Sequence, residues 1–292
     1  MSVELPTISS GGISAGISQL GAELQFLRDG HGRDLLWDGD PAVWHGRAPI
    51  LFPVIGLLEG GCYRLDGQRY AMPKHGFARH STFDIIDQAA DAVTFRLSAS
   101  EQTRAVYPFA FQLDIQFCVS ATQLRVTANI ANLGDVPMPA SFGFHPALRW
   151  PLPFDQPRAM HTIRFAQDEP APIRRINADG FLLPDPQPTP VSGDTLVLRD
   201  DLFVADAVIF DRLNSRSASY GPPVGPRLAI DFADFPTLGM WTKPGADFLC
   251  IEPWQGFADP VGYAGDLRDK PGILEIAAGS SKRLAMSLAL TT

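Results

Sequence analysis

Hydrophobic and polar residues alternate over many short stretches of this chain, and runs with a helical period are scarce. The clearest alternation is Phe109 to Val119, where Phe109, Phe111, Leu113, Ile115, Phe117 and Val119 share one face. A period of two is that of a half-buried strand. Leu124, Val126, Ala128 and Ile130 continue the pattern across Ser120 to Gln123 and predict its hairpin partner, with a turn at Asn132 to Asp135. Residues 81–98 predict a second hairpin: Phe83 and Ile85, a turn at Gln88 to Asp91, then Val93, Phe95 and Leu97. A third is predicted from Leu20 to Leu27, the glycine-rich turn Arg28 to Arg33, and Leu35-Leu36-Trp37. Thr195 to Leu198, Leu202 to Phe210 and Leu228 to Phe232 predict short strands, and Asn214 to Arg227 a loop. Phe248 to Ile251 predicts a strand that delivers Glu252 at its end, and Leu284, Met286, Leu288 and Leu290 one that closes a sheet.

Nine prolines fall within residues 151–190. Hydrophobic strands resume on both sides, with no charge run or Ser/Gly tract between, so this segment reads as a long decorated loop and not as an interdomain linker. Many alternating strands with Pro/Gly-rich connections predict an all-β sandwich or barrel-like fold. Residues 1–292 read as one domain, a size that large all-β domains reach without dividing.

Composition narrows the partners. The chain carries a net charge of −8, which argues against nucleic acid or an anionic membrane surface. Three scattered cysteines, Cys62, Cys118 and Cys250, form no CxxC pair, so neither a disulfide framework nor a zinc knuckle is expected. The N-terminal stretch has no signal-peptide pattern and no apolar run reaches membrane-spanning length. The expected location is the cytoplasm.

The chemistry-bearing residues lie in the irregular segments. His145 stands in Ser141-Phe142-Gly143-Phe144-His145-Pro146, where aromatic and proline neighbours give the imidazole a stiff, partly dry setting. A core histidine with bonded nitrogens and a proton donor or acceptor both fit such a site. Glu252 interrupts an apolar run beside Pro253 and Trp254. A carboxylate there suffers desolvation unless it is paired or used. Lys74-His75-Gly76-Phe77-Ala78-Arg79 places a histidine between two cations, and Arg47 opens the rigid apolar stretch to Gly56. No HxH, HExxH, GxGxxG or GxxxxGK[ST] motif occurs, and the one GxSxG pattern, Gly12 to Gly16, is followed by no helical run that would make it a nucleophile elbow. This disfavours a metal site, acyl transfer, dinucleotide binding and P-loop chemistry. What remains is acid–base chemistry by His75, His145, Asp206, Glu252 and the arginines on a polar ligand, with Trp44, Trp241 and Trp254 as stacking surfaces, a combination that suits a sugar.

Arg47–Gly56, Lys74–Arg79, Phe142–Pro146, Leu202–Phe210 and Cys250–Gly256 occur in an order and form that resembles the aldose 1-epimerase (galactose mutarotase-like) family, closest to its LacX-like branch. The resemblance implies a large antiparallel β-sandwich with an open cleft, no cofactor, and interconversion of the α and β anomers of an aldose. It implies that Glu252 is the general base at the C1 hydroxyl and His145 the general acid at the ring oxygen. His75, Asp206, Arg47, Arg79 and Trp254 would contact the sugar, in a monomer or homodimer. The His75–Arg79 stretch also resembles hexose-6-phosphate epimerases of the same superfamily, in which Arg47, Lys74 and Arg79 would form a phosphate site. A sugar-binding protein without catalysis, and a glycoside hydrolase using Asp206 and Glu252, are the rival readings.

Overall fold

A computed structural model describes residues 5–291. Two large antiparallel sheets dominate it. The first has nine strands, running in spatial order Thr195–Val197, Thr162–Phe165, Ser217–Gly221, Arg227–Asp231, Ser281–Thr291, Gln123–Asn132, Phe111–Ser120, Ala92–Ser98 and Asp84–Gln88. Its best-defined ladder pairs Leu113, Ile115 and Phe117 with Ile130, Ala128 and Val126, so the alternation read from the sequence becomes one apolar face. The second sheet runs Val208–Phe210, Thr237–Trp241, Phe248–Gln255, Phe142–Phe144 and Ile50–Leu51, with Ala147–Arg149 also paired to Phe248–Gln255. One buried cluster holds Ile115 and Phe117 from the first sheet together with Phe144, Leu238 and Ile251 from the second. The sheets therefore form a sandwich around a shared core. Among the described residues no helix is long and apolar enough to cross a membrane.

Several elements differ from their sequence reading. The strand near residue 20 spans Glu23–Asp29, because Gly21 and Ala22 take left-handed turn conformations. Its ladder partner is Ile13–Ser18, while Leu35 only returns an N–H to the Leu27 carbonyl. The proline-rich segment contains the strand Thr162–Phe165, whose neighbour Ser217–Gly221 lies inside the predicted loop 214–227. Each carries only two buried apolar side chains, Ile163 and Phe165 in one, Ala218 and Tyr220 in the other, too few to register as alternation. The predicted strand 202–210 reduces to Val208–Phe210, preceded by a 3-10 turn at Asp200–Phe203. The C-terminal strand sits mid-sheet, between Arg227–Asp231 and Gln123–Asn132.

The strand carrying Glu252 does not end there; it runs through Pro253 to Gln255. Alternate residues of this strand serve two different surroundings. Leu249 and Ile251 enter the sandwich core. Phe248 and Cys250 join Trp37 and Ala147 in one satellite cluster, and Trp254 joins Leu51 and Ile209 in another. Glu252 shares the parity of Phe248, Cys250 and Trp254, so it faces away from the core.

Candidate active site

The cross-strand register decides where the chemistry meets. Gly143 lies opposite Trp254, and Ala147 lies opposite Cys250. Midway between those pairs stand His145 and Glu252. Regular pairing is interrupted at His145-Pro146, yet the Pro146 carbonyl still accepts the Ile251 N–H at 3.2 Å. The two side chains emerge on the same face, and His145 Nε2 is 3.1 Å from Glu252 Oε2. Residues 107 positions apart in sequence are thus nearest neighbours across one ladder.

Both groups are almost dry, with His145 7% and Glu252 1% exposed. They line a cavity of about 240 Å³ together with His75, Asp206, Arg79 and Trp254. Trp44 and Trp241, also on the wall, pack on His145: Trp44 stacks at 5.3 Å between ring centres, and Trp241 meets it edge-on at 6.4 Å. His75 approaches His145 edge-on at 5.8 Å. Arg47 does not line the cavity. Its guanidinium donates to the Gln25 carbonyl and its backbone N–H to Glu23 Oε1, so the expected contact between Arg47 and a ligand is replaced by an anchor to the strand Glu23–Asp29.

Hydrogen bonding separates these histidines from a structural one. His161 is fully buried, but its Nε2 accepts the Leu152 N–H at 3.1 Å and its Nδ1 faces the Pro157 carbonyl. His145 Nδ1 and Trp254 Nε1 are buried without a hydrogen-bond partner among the described residues, and Glu252 Oε2 forms no aligned hydrogen bond there beyond its 3.1 Å contact with His145 Nε2. Three under-satisfied polar atoms on one wall are what a site awaiting a polar ligand presents. His75 Nδ1 accepts the Gly56 N–H at 3.1 Å. A neutral His75 therefore carries its proton on Nε2 and offers a donor. Its backbone is left-handed, with φ 67°, a strained conformation of the kind found at functional sites.

Electrostatics divides the acid–base pair. Burial pushes the Glu252 carboxyl well above the usual carboxylate range; Asp206 adds to the rise, while Lys74, Arg79 and the nearby Trp254 indole oppose it. Burial, then Arg79 and Lys74, lowers His145 to about 3. Burial, followed by His145, Lys74 and Arg79, also holds His75 well below its ordinary value. Both shifts favour the uncharged forms, a protonated carboxyl and a neutral imidazole. At 3.1 Å the two groups are close enough to share a proton between carboxyl and imidazole.

Around the residues read from the sequence, supporting contacts come from positions that were not singled out: Arg175, Gly143 and Gly239. Asp206 sits in a left-handed turn, φ 61°, and not in a strand. Arg175, from the proline-rich segment, pins that turn through the Asp206 and Ala207 carbonyls at 3.0 and 3.1 Å. Trp254 is held between neighbouring strands by two glycines. A Cβ on Gly143 would fall 2.7 Å from the indole, and one on Gly239 2.6 Å from it. Glycine inside the otherwise apolar strand Thr237–Trp241 was the sequence signal for that close approach. His145, Cys250 and Glu252 also place three potential ligand atoms within 4.8 Å of one another, a convergence that no spacing motif announces.

Comparison with known proteins gives a consistent picture. The profile of a family described as aldose 1-epimerase matches residues 4–259. The chromosomal protein LacX of Lactococcus lactis subsp. lactis is 30% identical over 267 residues, covering 88% of this chain and 89% of that protein. A galactose mutarotase-like protein from Lactobacillus casei superposes with a TM-score of 0.91 at 31% identity, covering 99% of this chain and 100% of that one. A galactose mutarotase related enzyme from Lactobacillus acidophilus gives a TM-score of 0.89 at 27% identity, covering 99% and 98%.

Proposed function

This chain belongs to the aldose 1-epimerase family, and from that premise we propose that it interconverts the α and β anomers of an aldohexose. The observation that carries the reading is the His145–Glu252 contact of 3.1 Å on the cavity wall. Anomerisation needs one base and one acid working together, with no nucleophile. Glu252, as carboxylate, takes the proton of the C1 hydroxyl while His145 protonates the ring oxygen, and the C1–O5 bond opens. The C1 end rotates. The ring hydroxyl then returns its proton to His145 as O5 attacks the other carbonyl face, and Glu252 gives the C1 oxygen its proton back. Protons balance over the cycle, and each group contributes roughly 10²–10⁴-fold. His75, through Nε2–H, and Asp206 hold ring hydroxyls, and Trp254, Trp241 and Trp44 supply apolar surface for the ring faces.

Polarimetry of freshly dissolved α-glucose and α-galactose tests this. The decay of optical rotation accelerates with the wild-type protein, and His145→Asn and Glu252→Gln each lower the enzymatic rate at least about 100-fold with the fold retained. Equal rates in both variants and wild type sink the assignment. Saturable binding without any acceleration marks a sugar-binding protein instead.

A second reading has its own support. Arg79 lines the cavity beside Lys74 and forms no side-chain hydrogen bond or ion pair among the described residues. A half-buried guanidinium in that position suits an anionic substituent, as in a hexose 6-phosphate. Glucose and galactose 6-phosphates in the same panel discriminate: a kcat/KM at least about tenfold above that of the free sugars, some 1.4 kcal/mol, moves the assignment to the phosphorylated substrate.

A further inference from the structure

We propose that His145, Cys250 and Glu252 form a binding site for a thiophilic divalent cation of the zinc–cadmium class, and that its occupation blocks the acid–base pair. The geometry follows from the strand. Cys250 and Glu252 are two residues apart on Phe248–Gln255 and therefore project from the same face. His145 stands across the ladder from Glu252, between the pairs Gly143–Trp254 and Ala147–Cys250. One ligand atom from each of the three lies within 4.8 Å of the others, and all three residues are buried.

The donor set is chemically coherent. Thiolate sulfur, imidazole nitrogen and carboxylate oxygen are the three ligand types that zinc takes, at about 2.0–2.3 Å. A tetrahedral centre with such bonds has ligand–ligand edges of roughly 3.3–3.8 Å, so the site closes by an inward shift of about 1 Å. The donors are poorly engaged elsewhere: His145 Nδ1 lacks a hydrogen-bond partner among the described residues, and the close contact of Glu252 Oε2 is His145 Nε2, itself a member of the site. Charge also balances. A dication with one thiolate, one carboxylate and a neutral imidazole is neutral, which a dry pocket already facing Lys74 and Arg79 tolerates better than a net charge. Binding releases the Cys250 thiol proton and the proton of the His145–Glu252 pair to solvent. His145 and Glu252 line the cavity, which gives the ion its access, whereas Cys250 lies in the buried cluster with Trp37, Ala147 and Phe248.

Occupation removes the two lone pairs that the proposed reaction uses, so this ion is an inhibitor. The binding stands whatever the reaction; the inhibition rests on the mutarotase reading, and the test separates them. Cd²⁺ is titrated into the full-length Cys62→Ser/Cys118→Ser protein, in which Cys250 is the only thiol left. One equivalent is expected to produce a thiolate-to-cadmium charge-transfer band in the ultraviolet. Adding Cys250→Ser abolishes the band. Adding His145→Asn or Glu252→Gln instead keeps the band but weakens Cd²⁺ binding at least about tenfold, as losing a ligand requires. No band in the double variant, or unaltered affinity on loss of His145 and of Glu252, overturns the site. In parallel, Zn²⁺ at one equivalent is expected to slow mutarotation by the wild type, with recovery on adding EDTA. An undiminished rate at full occupancy overturns the inhibitory role while leaving the site intact.

Discussion

Replacing Glu252 by glutamine is expected to lower activity and raise stability above neutral pH. The activity loss is that of a removed base, about 10²–10⁴-fold, or roughly 2.7–5.5 kcal/mol of barrier. The stability change follows from where the carboxyl sits. It is 1% exposed, and burial drives its pKa well above the usual range. An unfolded glutamate titrates near 4.3. Above that pH the unfolded chain has released this proton while the folded chain keeps it. With fewer protons on the unfolded side, stability falls as pH rises, by up to about 1.4 kcal/mol per pH unit, until the folded carboxyl also ionises. Glutamine has no proton to lose and removes this falling limb.

His145 works in the opposite sense. Burial, Arg79 and Lys74 set its pKa at about 3 in the fold, against about 6.5 when unfolded. As pH drops from 6.5 towards 3, the unfolded chain gains a proton that the folded chain refuses, and stability is lost. In the wild type the two limbs overlap between about 4.3 and 6.5 and partly cancel. In Glu252→Gln the His145 limb stands alone, joined by that of His75, whose pKa is also lowered. Urea denaturation followed by tryptophan fluorescence, from pH 5 to 9 in EDTA, reads both effects, with polarimetry at each pH. The variant's stability should climb to about pH 6.5, level off, and exceed the wild type at pH 9 by at least about 1 kcal/mol. A variant less stable than wild type at pH 9, or profiles parallel throughout, would refute the argument, because the carboxylate would then be a stabilising structural group.

Three further outcomes are expected. Gly239→Ala drives a methyl to 2.6 Å from the Trp254 ring; overpacking costs about 1–3 kcal/mol in urea denaturation, and mutarotation falls with it. Lys270→Met breaks a buried pair, since Lys270 Nζ lies 2.9 Å from Asp259 Oδ1, whose other oxygen holds the Glu59 N–H. A loss of about 3–5 kcal/mol is expected, with part of it recovered in Lys270→Met/Asp259→Leu. Arg79→Met should raise KM for free hexose and for its 6-phosphate alike; a loss confined to the phosphate would favour the second reading.

The sheet order and the site were legible to different degrees, for physical reasons. Alternation betrayed Phe111–Ser120 and Gln123–Asn132 because one face is buried and the other is wetter. The strand carrying Glu252 concealed its two faces. Phe248, Cys250 and Trp254 are as apolar as Leu249 and Ile251, and everything from Phe248 to Trp254 is buried, so period two disappears from its composition. Only Glu252 broke the run, and a desolvated carboxylate is conspicuous wherever it stands. Direction was not legible. Arg47 and Arg79 both flank apolar segments, yet one spends its guanidinium on the Gln25 carbonyl and the other faces the cavity.

Nor was satisfaction of hydrogen bonds. His145 and His161 are equally plausible core histidines by local sequence, and what divides them is supplied from afar. His161 finds the Leu152 N–H, whereas His145 Nδ1 finds no partner among the described residues and its Nε2 finds Glu252. Local residue types therefore mark which groups are chemically capable, and long-range register decides which of them are left under-satisfied together. In this fold one ladder performs both tasks. It sets His145 against Glu252, and by the same period of two it brings Cys250 beside them, so the arrangement that suits proton transfer is also the one that exposes the site to a thiophilic ion.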